Sequence, residues 1–195
     1  LGLARLVDEL GFKVEPVPDP FWPQRSIKTS AEFAHIEAAL RITARGMNAG
    51  IQMIRQATID ADSMLRLNGV PLTSEQVRGE INAQLVREGA MPGHTIVSGG
   101  TQGADPHEEG HGPLPAYAPI ILDVFPRINA TGYWGDMTRT VCRGRAPERV
   151  RRAWEAVRLG QELAFSLIQD GVSGKKIHDA ITQQFTEAGF VTGIL

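Results

Sequence analysis

The chain reads as an α+β fold in which helices pack on an antiparallel sheet. Three observations predict it. Two stretches with a 3.6-residue apolar stripe precede a central β-prone segment, and two more follow it. The central segment, residues 118–141, holds two apolar runs joined by a loop, the pattern of a β-ribbon. Helical and strand signals are segregated rather than alternating. No G-x-G-x-x-G or phosphate-loop motif occurs, which argues against a nucleotide-binding parallel sheet.

Each element has its own signal. Residues 3–10, LARLVDEL, predict a short helix stopped by Gly11. Phe12 to Lys28 carries Pro16, Pro18, Pro20 and Pro23, and is expected to be an extended, proline-stiffened linker. Thr29 and Glu32 form a capping box that opens a long helix with Ile36, Leu40, Thr43, Met47, Ile51 and Ile54 on one stripe. Gly46 and Gly50 either weaken that helix or mark a close approach to a neighbour. Thr73 and Gln76 form a second box, followed by Val77, Ile81 and Leu85, with Gly89 as the stop. Thr95–Ser98 predicts a short strand, 99–115 a loop, and 118–125 and 132–141 two further strands. Pro147 begins a third long helix with Val150, Trp154, Val157, Ala164 and Ile168 inward and Gly171 as stop. Ser173 caps a fourth, with Ile177, Ile181 and Phe185 inward and Gly189 closing it.

Composition narrows the function. The 195 residues are 42% hydrophobic and 22% charged, with a net charge of −2 and no long run of one sign. Nucleic acid and anionic membrane are therefore not expected as main partners. No apolar run approaches the roughly 18 residues of a membrane span. The single cysteine, Cys142, cannot form an internal disulfide and suits a reducing, cytoplasmic setting. Asn129-Ala130-Thr131 matches a glycosylation sequon but reads as a turn. Leu1 stands where a Met would, and Phe190–Leu195 reads like a chain entering a strand, so a fragment of a longer protein is expected.

Two patterns carry chemistry. His107-Glu108-Glu109-Gly110-His111 matches H-E-x-x-H, which binds zinc only when both histidines share one helical face. Asp105 and Pro106 could start a helix, but Gly110, Gly112, Pro113 and Pro115 leave it one turn at most. The segment is either a loop with two solvated histidines or a functional loop beside a metal site built elsewhere. The second pattern is Asp123 inside the apolar run Ile120–Phe125, with Asp136 on the next strand. A carboxylate in such a strand is costly unless paired or metal-bound. A symmetric four-residue loop, 128–131, sets Asp123 directly opposite Asp136 and moves Pro126 to a non-bonded site. The two Cα atoms would lie about 4.5–5.5 Å apart. Carboxylates that close need a proton or a cation between them, and oxygen donors suit divalent metals. Ile121, Phe125, Trp134 and Thr138 share their face, which places Thr138 to hydrogen-bond a ligating carboxylate. Alternatively, Asp123 could simply pair with Arg127 or Arg139, or Asp136 could be a solvated turn residue.

The apolar Ile121-Leu122-Asp123 strand and Asp136-Met137-Thr138-Arg139-Thr140 resemble the first metal-ligand strands of the pita-bread metallopeptidases, the family of Xaa-Pro aminopeptidases, prolidases and methionine aminopeptidases. Residues 25–32, RSIKTSAE, resemble the entry to the catalytic domain of the Xaa-Pro branch, and Phe125-Pro126-Arg127 leans the same way. The resemblance covers roughly residues 25–190. It implies that residues 1–24 are the tail of an N-terminal domain plus a Pro-rich linker, and 25–195 the N-terminal part of a metallopeptidase catalytic domain. It implies two divalent ions (Mn, Co, Zn or Fe) held by two Asp, one His and two Glu, with Asp123 and Asp136 matching the aspartates. A bridging water would attack the scissile carbonyl. His107 fits the substrate-side histidine, with His111 as the alternative. The expected partners are a peptide with proline at its second position and a second copy of the chain in a homodimer.

The chain departs from the family's pattern in two ways. The aspartates are thirteen apart, wider than the family's usual hairpin, so two extra residues belong in the turn. The family's remaining His and two Glu follow the fourth helix, where this chain stops. His178 lies mid-helix among charges, and Glu108, Glu109, Glu155, Glu162 and Glu187 fall outside the expected strands. The segment is thus expected to bind metal weakly and to be inactive alone. Beside this exopeptidase reading stand a metal-free pita-bread relative that acts as a binding domain and a plain α+β interaction domain.

Overall fold

The computed structural model describes residues 2–15 and 22–191. Pro16, Pro18 and Pro20 of the linker, and the end of the C-terminal stretch, lie outside the described residues.

Local signals place most helix ends. Helix α1 (Gly2–Glu9) stops before Gly11, which takes φ +84°. A short 3-10 turn at Pro23–Arg25 interrupts the otherwise non-helical approach to α2 (Ser30–Gln56). At the start of α2 the Thr29 hydroxyl accepts from the Glu32 N–H, and the Glu32 carboxylate accepts from the Thr29 N–H at 2.7 Å. Three short strands follow, β1 (Thr58–Ile59), β2 (Leu65–Leu67) and β3 (Val70–Pro71), in an antiparallel meander. Its second turn is Asn68-Gly69, with φ of +54° and +82°. That is the Asn-Gly type I′ pattern, a hairpin signal present in the sequence and overlooked.

Helix α3 (Ser74–Arg87) opens with the second capping box, in which Thr73 Oγ1 accepts from the Gln76 N–H at 3.3 Å. Replacing Thr73 by alanine is expected to cost about 1 kcal/mol. A lowered urea midpoint at unchanged denaturant slope would register it. Val77, Ile81 and Leu85 of α3 are fully buried against α2. The two glycines of α2 make that contact close. A Cβ on Gly46 would lie 2.7 Å from Leu85 Cδ2, and one on Gly50 2.7 Å from Ile81 Cδ1. The buried stripe of α2 is Ala39, Thr43, Gly46, Met47, Gly50 and Ile54. Leu40, expected inward, is 38% exposed, because the close approach selects small residues and turns the helix toward Ala39.

The main sheet has the order β5-β6-β8, all antiparallel, from β5 (Ile96–Gly99), β6 (Ile120–Val124) and β8 (Met137–Val141). A separate pair joins β4 (Ala90–Met91) to β7 (Arg127–Ile128). Ile120, Leu122 and Val124 alternate into the core formed with α2 and α3. Ile121, Asp123 and Phe125 therefore point to the other face.

Helices α4 (Glu148–Leu167) and α5 (Gly174–Glu187) pack on each other. The inward side of α4 is not the expected stripe. Ala156 and Gly160 are buried, whereas Trp154, Val157 and Ile168 are exposed. Gly160 is the reason: a Cβ there would meet the Phe185 ring at 3.0 Å, so the contact with α5 forms along the small residues. Ile177, Ile181 and Phe185 of α5 are half-buried, as its stripe predicts.

Candidate metal centre

The β6–β8 ribbon is shifted by two residues from the expected pairing. Asp123 lies opposite Thr138, and Val124 opposite Met137. The same register continues toward the tip. Gly135 N–H donates to the Pro126 carbonyl at 3.0 Å, and Ile128 N–H to the Tyr133 carbonyl at 2.8 Å. The loop is thus 129–132 rather than 128–131. Gly132 takes φ +77° at its last position and donates to the Ile128 carbonyl at 2.8 Å. Only glycine adopts that conformation freely, so Gly132 sets the loop. Ile128, moreover, is held by β4, and the Asn129 N–H donates to the Gly89 carbonyl at 3.1 Å. Pro126 occupies a bonded position and contributes only its acceptor.

A shift of two keeps the parity of the strands, so both aspartates remain on one face. Asp136 is a diagonal neighbour of Asp123, at roughly 7–8 Å between Cα atoms. Thr138 Oγ1 donates to Asp123 Oδ1 at 2.6 Å. Asp123 is half-buried, and Asp136 and Thr138 are exposed. Desolvation, and then the charge of Asp123, push the Asp136 carboxyl above its ordinary range.

The opposite side of β8 is fixed against α2. A Cβ on Gly135 would fall 2.1 Å from Thr43 Oγ1 and 2.7 Å from the Ala39 carbonyl oxygen. Tyr133 anchors the tip of the ribbon. Its hydroxyl donates to Glu32 Oε1 at 3.1 Å and its ring lies 5.3 Å from that of His35. The aspartates accordingly project from the face turned away from the helical layer.

Neither arginine weighed as a partner reaches them. Arg139 Nη1 donates to the Thr138 carbonyl at 2.8 Å, and Arg127 lies beside Gly132. Among the described residues, no ion pair involves Asp123 or Asp136. Among the described residues, also, no group of three or more His, Cys, Asp or Glu converges as a metal cage.

The His107–His111 stretch forms no helix. A 3-10 turn at Gly100–Ala104 leads into a turn and then an extended segment that lies along β5. There the Val97 N–H donates to the Glu109 carbonyl at 2.9 Å, and the Ser98 hydroxyl donates to the Glu108 carbonyl. Gly110 permits the approach: a Cβ would stand 1.8 Å from the Val97 carbonyl oxygen. This pairing puts His107 toward the Gly99 end of β5, whereas Asp123 is paired with Ile96 at the other end. The offset is about 10 Å along the strand. His107 is exposed, and its N–H donates to Asp105 Oδ1 at 2.8 Å. The His111 ring is engaged by Glu108 Oε1 at 3.4 Å. His178 is exposed on α5. A contact that sequence reading missed is His94 Nδ1 with Glu109 Oε1 at 2.8 Å, which helps hold the loop.

Comparison with known proteins points one way. The profile of metallopeptidase family M24 matches residues 34–194. An uncharacterized peptidase of Staphylococcus saprophyticus is 25% identical over 167 residues, which cover 85% of this chain and 44% of that protein. The X-Pro aminopeptidase of Thermotoga maritima superposes with a TM-score of 0.75 at 23% identity, covering 96% of this chain and 50% of that one. Dipeptidase PepE of Mycobacterium ulcerans gives 0.72 at 26% identity, covering 96% and 47%. The chain spans about half the length of these relatives.

Proposed function

Because the chain belongs to metallopeptidase family M24 and shares the pita-bread fold of its solved neighbours, we propose that the full-length protein is a metal-dependent exopeptidase that removes the N-terminal residue from peptides with proline in second position. The observation that carries this reading is the Asp123–Asp136 pair on the open face of the ribbon, free of arginine, with Thr138 bonded to Asp123.

The pair fits a divalent cation in chemistry. Two carboxylates share a face, and a cation would offset the desolvation and, after it, the repulsion from Asp123 that raise the Asp136 carboxyl. Asp123 and Asp136 would hold the two ions (Mn, Co, Zn or Fe), and the remaining donors would be the His and two Glu that the resemblance implies, from outside the described residues. When bound, such ions polarise the peptide carbonyl and lower the pKa of water. The chain's own residues do the positioning. The Thr138 hydroxyl fixes the rotamer of the Asp123 carboxylate. Gly135, pressed on α2, sets where Asp136 leaves the strand. His107 is the substrate-side histidine: its ring is without a partner among the described residues, while that of His111 is engaged by Glu108. A cytoplasmic setting accords with the free thiol of Cys142. Among the described residues, no helix is long and apolar enough to cross a membrane.

Full-length protein stripped with a chelator is expected to lose release of the first residue from Xaa-Pro peptides, and to regain it with Mn²⁺, Co²⁺, Zn²⁺ or Fe²⁺. Chromatographic detection of the free amino acid reads the reaction. Turnover that survives chelation overturns the reading. A metal-free binding domain is the second reading, and it predicts no release under any of the four ions.

A further inference from the structure

The loop that carries His107 is fastened to α3 by two side chains one turn apart. Arg78 Nη2 donates to the Glu109 carbonyl at 3.0 Å and to the Gly110 carbonyl at 2.5 Å. Its Nη1 stands 3.7 Å from Glu109 Oε2. Glu75 accepts from the Gly112 N–H at 3.0 Å. The Arg78 side chain is 19% exposed, and its Nε is buried with no hydrogen-bond partner among the described residues. Charge-assisted bonds gain strength where water is excluded in this way.

The loop depends on Arg78 unequally along its length. Glu108 and Glu109 have a second hold, because their carbonyls also accept from the Ser98 hydroxyl and the Val97 N–H of β5. Gly110 is buried, and among the described residues its carbonyl accepts from Arg78 alone. Without the guanidinium that acceptor is left dry and unpaired, and it regains water when the segment lifts from β5. His107 directly precedes this segment. On its other side is a turn, in which the His107 N–H donates to Asp105 Oδ1 at 2.8 Å and the Glu108 N–H to the Asp105 carbonyl at 3.3 Å. The turn and the Arg78 clasp thus fix the His107 backbone from both directions, while its side chain stays exposed.

We propose that Arg78 is a positioning residue for peptide hydrolysis, holding His107 in place against the substrate by clasping the Glu109 and Gly110 carbonyls. The inference rests on the peptidase reading above, with His107 as the substrate-side histidine. Arg78 itself touches no substrate and acts through the loop.

The test uses full-length, Mn²⁺-loaded protein and an Xaa-Pro-Xaa tripeptide. Arg78→Met keeps the apolar stem and deletes the donors. Its kcat is expected to fall about tenfold with KM little changed, within the hundredfold that a 1 Å misplacement can cost. Arg78→Lys, which keeps a charged donor, regains part of the loss. The deciding measurement adds Arg78→Met to His107→Ala: when one residue acts through the other, the second change lowers kcat no further. A merely structural role gives the same fall in both backgrounds, and that result overturns the proposal. So does an Arg78→Met variant with the kcat of wild type, or an Arg78→Lys variant no faster than Arg78→Met. If Arg78→Met shows no cooperative urea transition, Arg78→Lys takes its place in the cycle. A His107→Ala variant as fast as wild type overturns the positioning role and leaves the peptidase reading intact. Absence of hydrolysis by the wild type overturns both.

Discussion

Asp136→Asn is expected to abolish peptide hydrolysis by the full-length, metal-loaded protein. Asparagine keeps the size of the side chain and one oxygen, so the ribbon itself should stay folded. What it removes is the negative charge that stands diagonally from Asp123 on the open face of the sheet. The loss should exceed the ~10–100-fold that removal of an outer hydrogen-bond partner typically costs. Thr138→Val supplies that smaller value for comparison, because it deletes only the 2.6 Å bond to Asp123. Release of the N-terminal residue from an Xaa-Pro peptide, followed at saturating Mn²⁺, ranks the two. Equal turnover by Asp136→Asn and wild type would remove the aspartate pair from the chemistry altogether.

Gly135→Ala is expected to destabilise the protein by about 3 kcal/mol, at the upper end of the usual cost of overpacking. The new Cβ would stand 2.1 Å from Thr43 Oγ1 and 2.7 Å from the Ala39 carbonyl oxygen. Neither atom can retreat easily. Thr43 and Ala39 are fully buried, and the Thr43 hydroxyl donates to that same carbonyl at 2.9 Å. Either α2 moves from the ribbon or the strand lifts, and Asp136 is the next residue along. Activity at low temperature, where the variant is folded, should therefore fall as well. Urea denaturation measures the first effect and kcat/KM the second. A variant with an unchanged midpoint would mean that the ribbon does not rest on α2 at Gly135.

Much of the candidate site was legible before any coordinates. The charged residue within Ile120–Phe125 and the alternation of the two strands put Asp123, Asp136 and Thr138 on one face, and they share it in the structure. The pairing itself was misjudged by two residues. Its determinants are Gly132, which takes the left-handed position, and the contact of Arg127–Ile128 with Ala90–Met91. The second of these is separated from the ribbon by more than thirty residues, out of reach of any local pattern. The one-sided face survived the error because side chains alternate with a period of two. The H-E-x-x-H string shows the reverse case. Its residues match a zinc helix, yet the glycines and prolines around it and the edge of β5 turn it into an extended loop.

The chain alone determined what short-range physics controls: both capping boxes, the glycine stops at Gly11, Gly89 and Gly189, and the order of the helices, whereas α4 ends at Leu167 rather than at Gly171. Their causes lie within one helical turn or one strand, where steric limits on the backbone and a few hydrogen bonds leave little choice. Packing alone decided which side of α4 is buried, that Ala39, Gly46 and Gly50 join Thr43, Met47 and Ile54 on the buried side of α2, where His107 lies relative to the aspartates, and which residues face each other across the ribbon. Those outcomes depend on how closely distant surfaces approach, as Gly46, Gly50, Gly135 and Gly160 each show. Apolar periodicity names a helix face to within a residue, but contact distance selects among its neighbours, and small residues prevail wherever two elements meet closely.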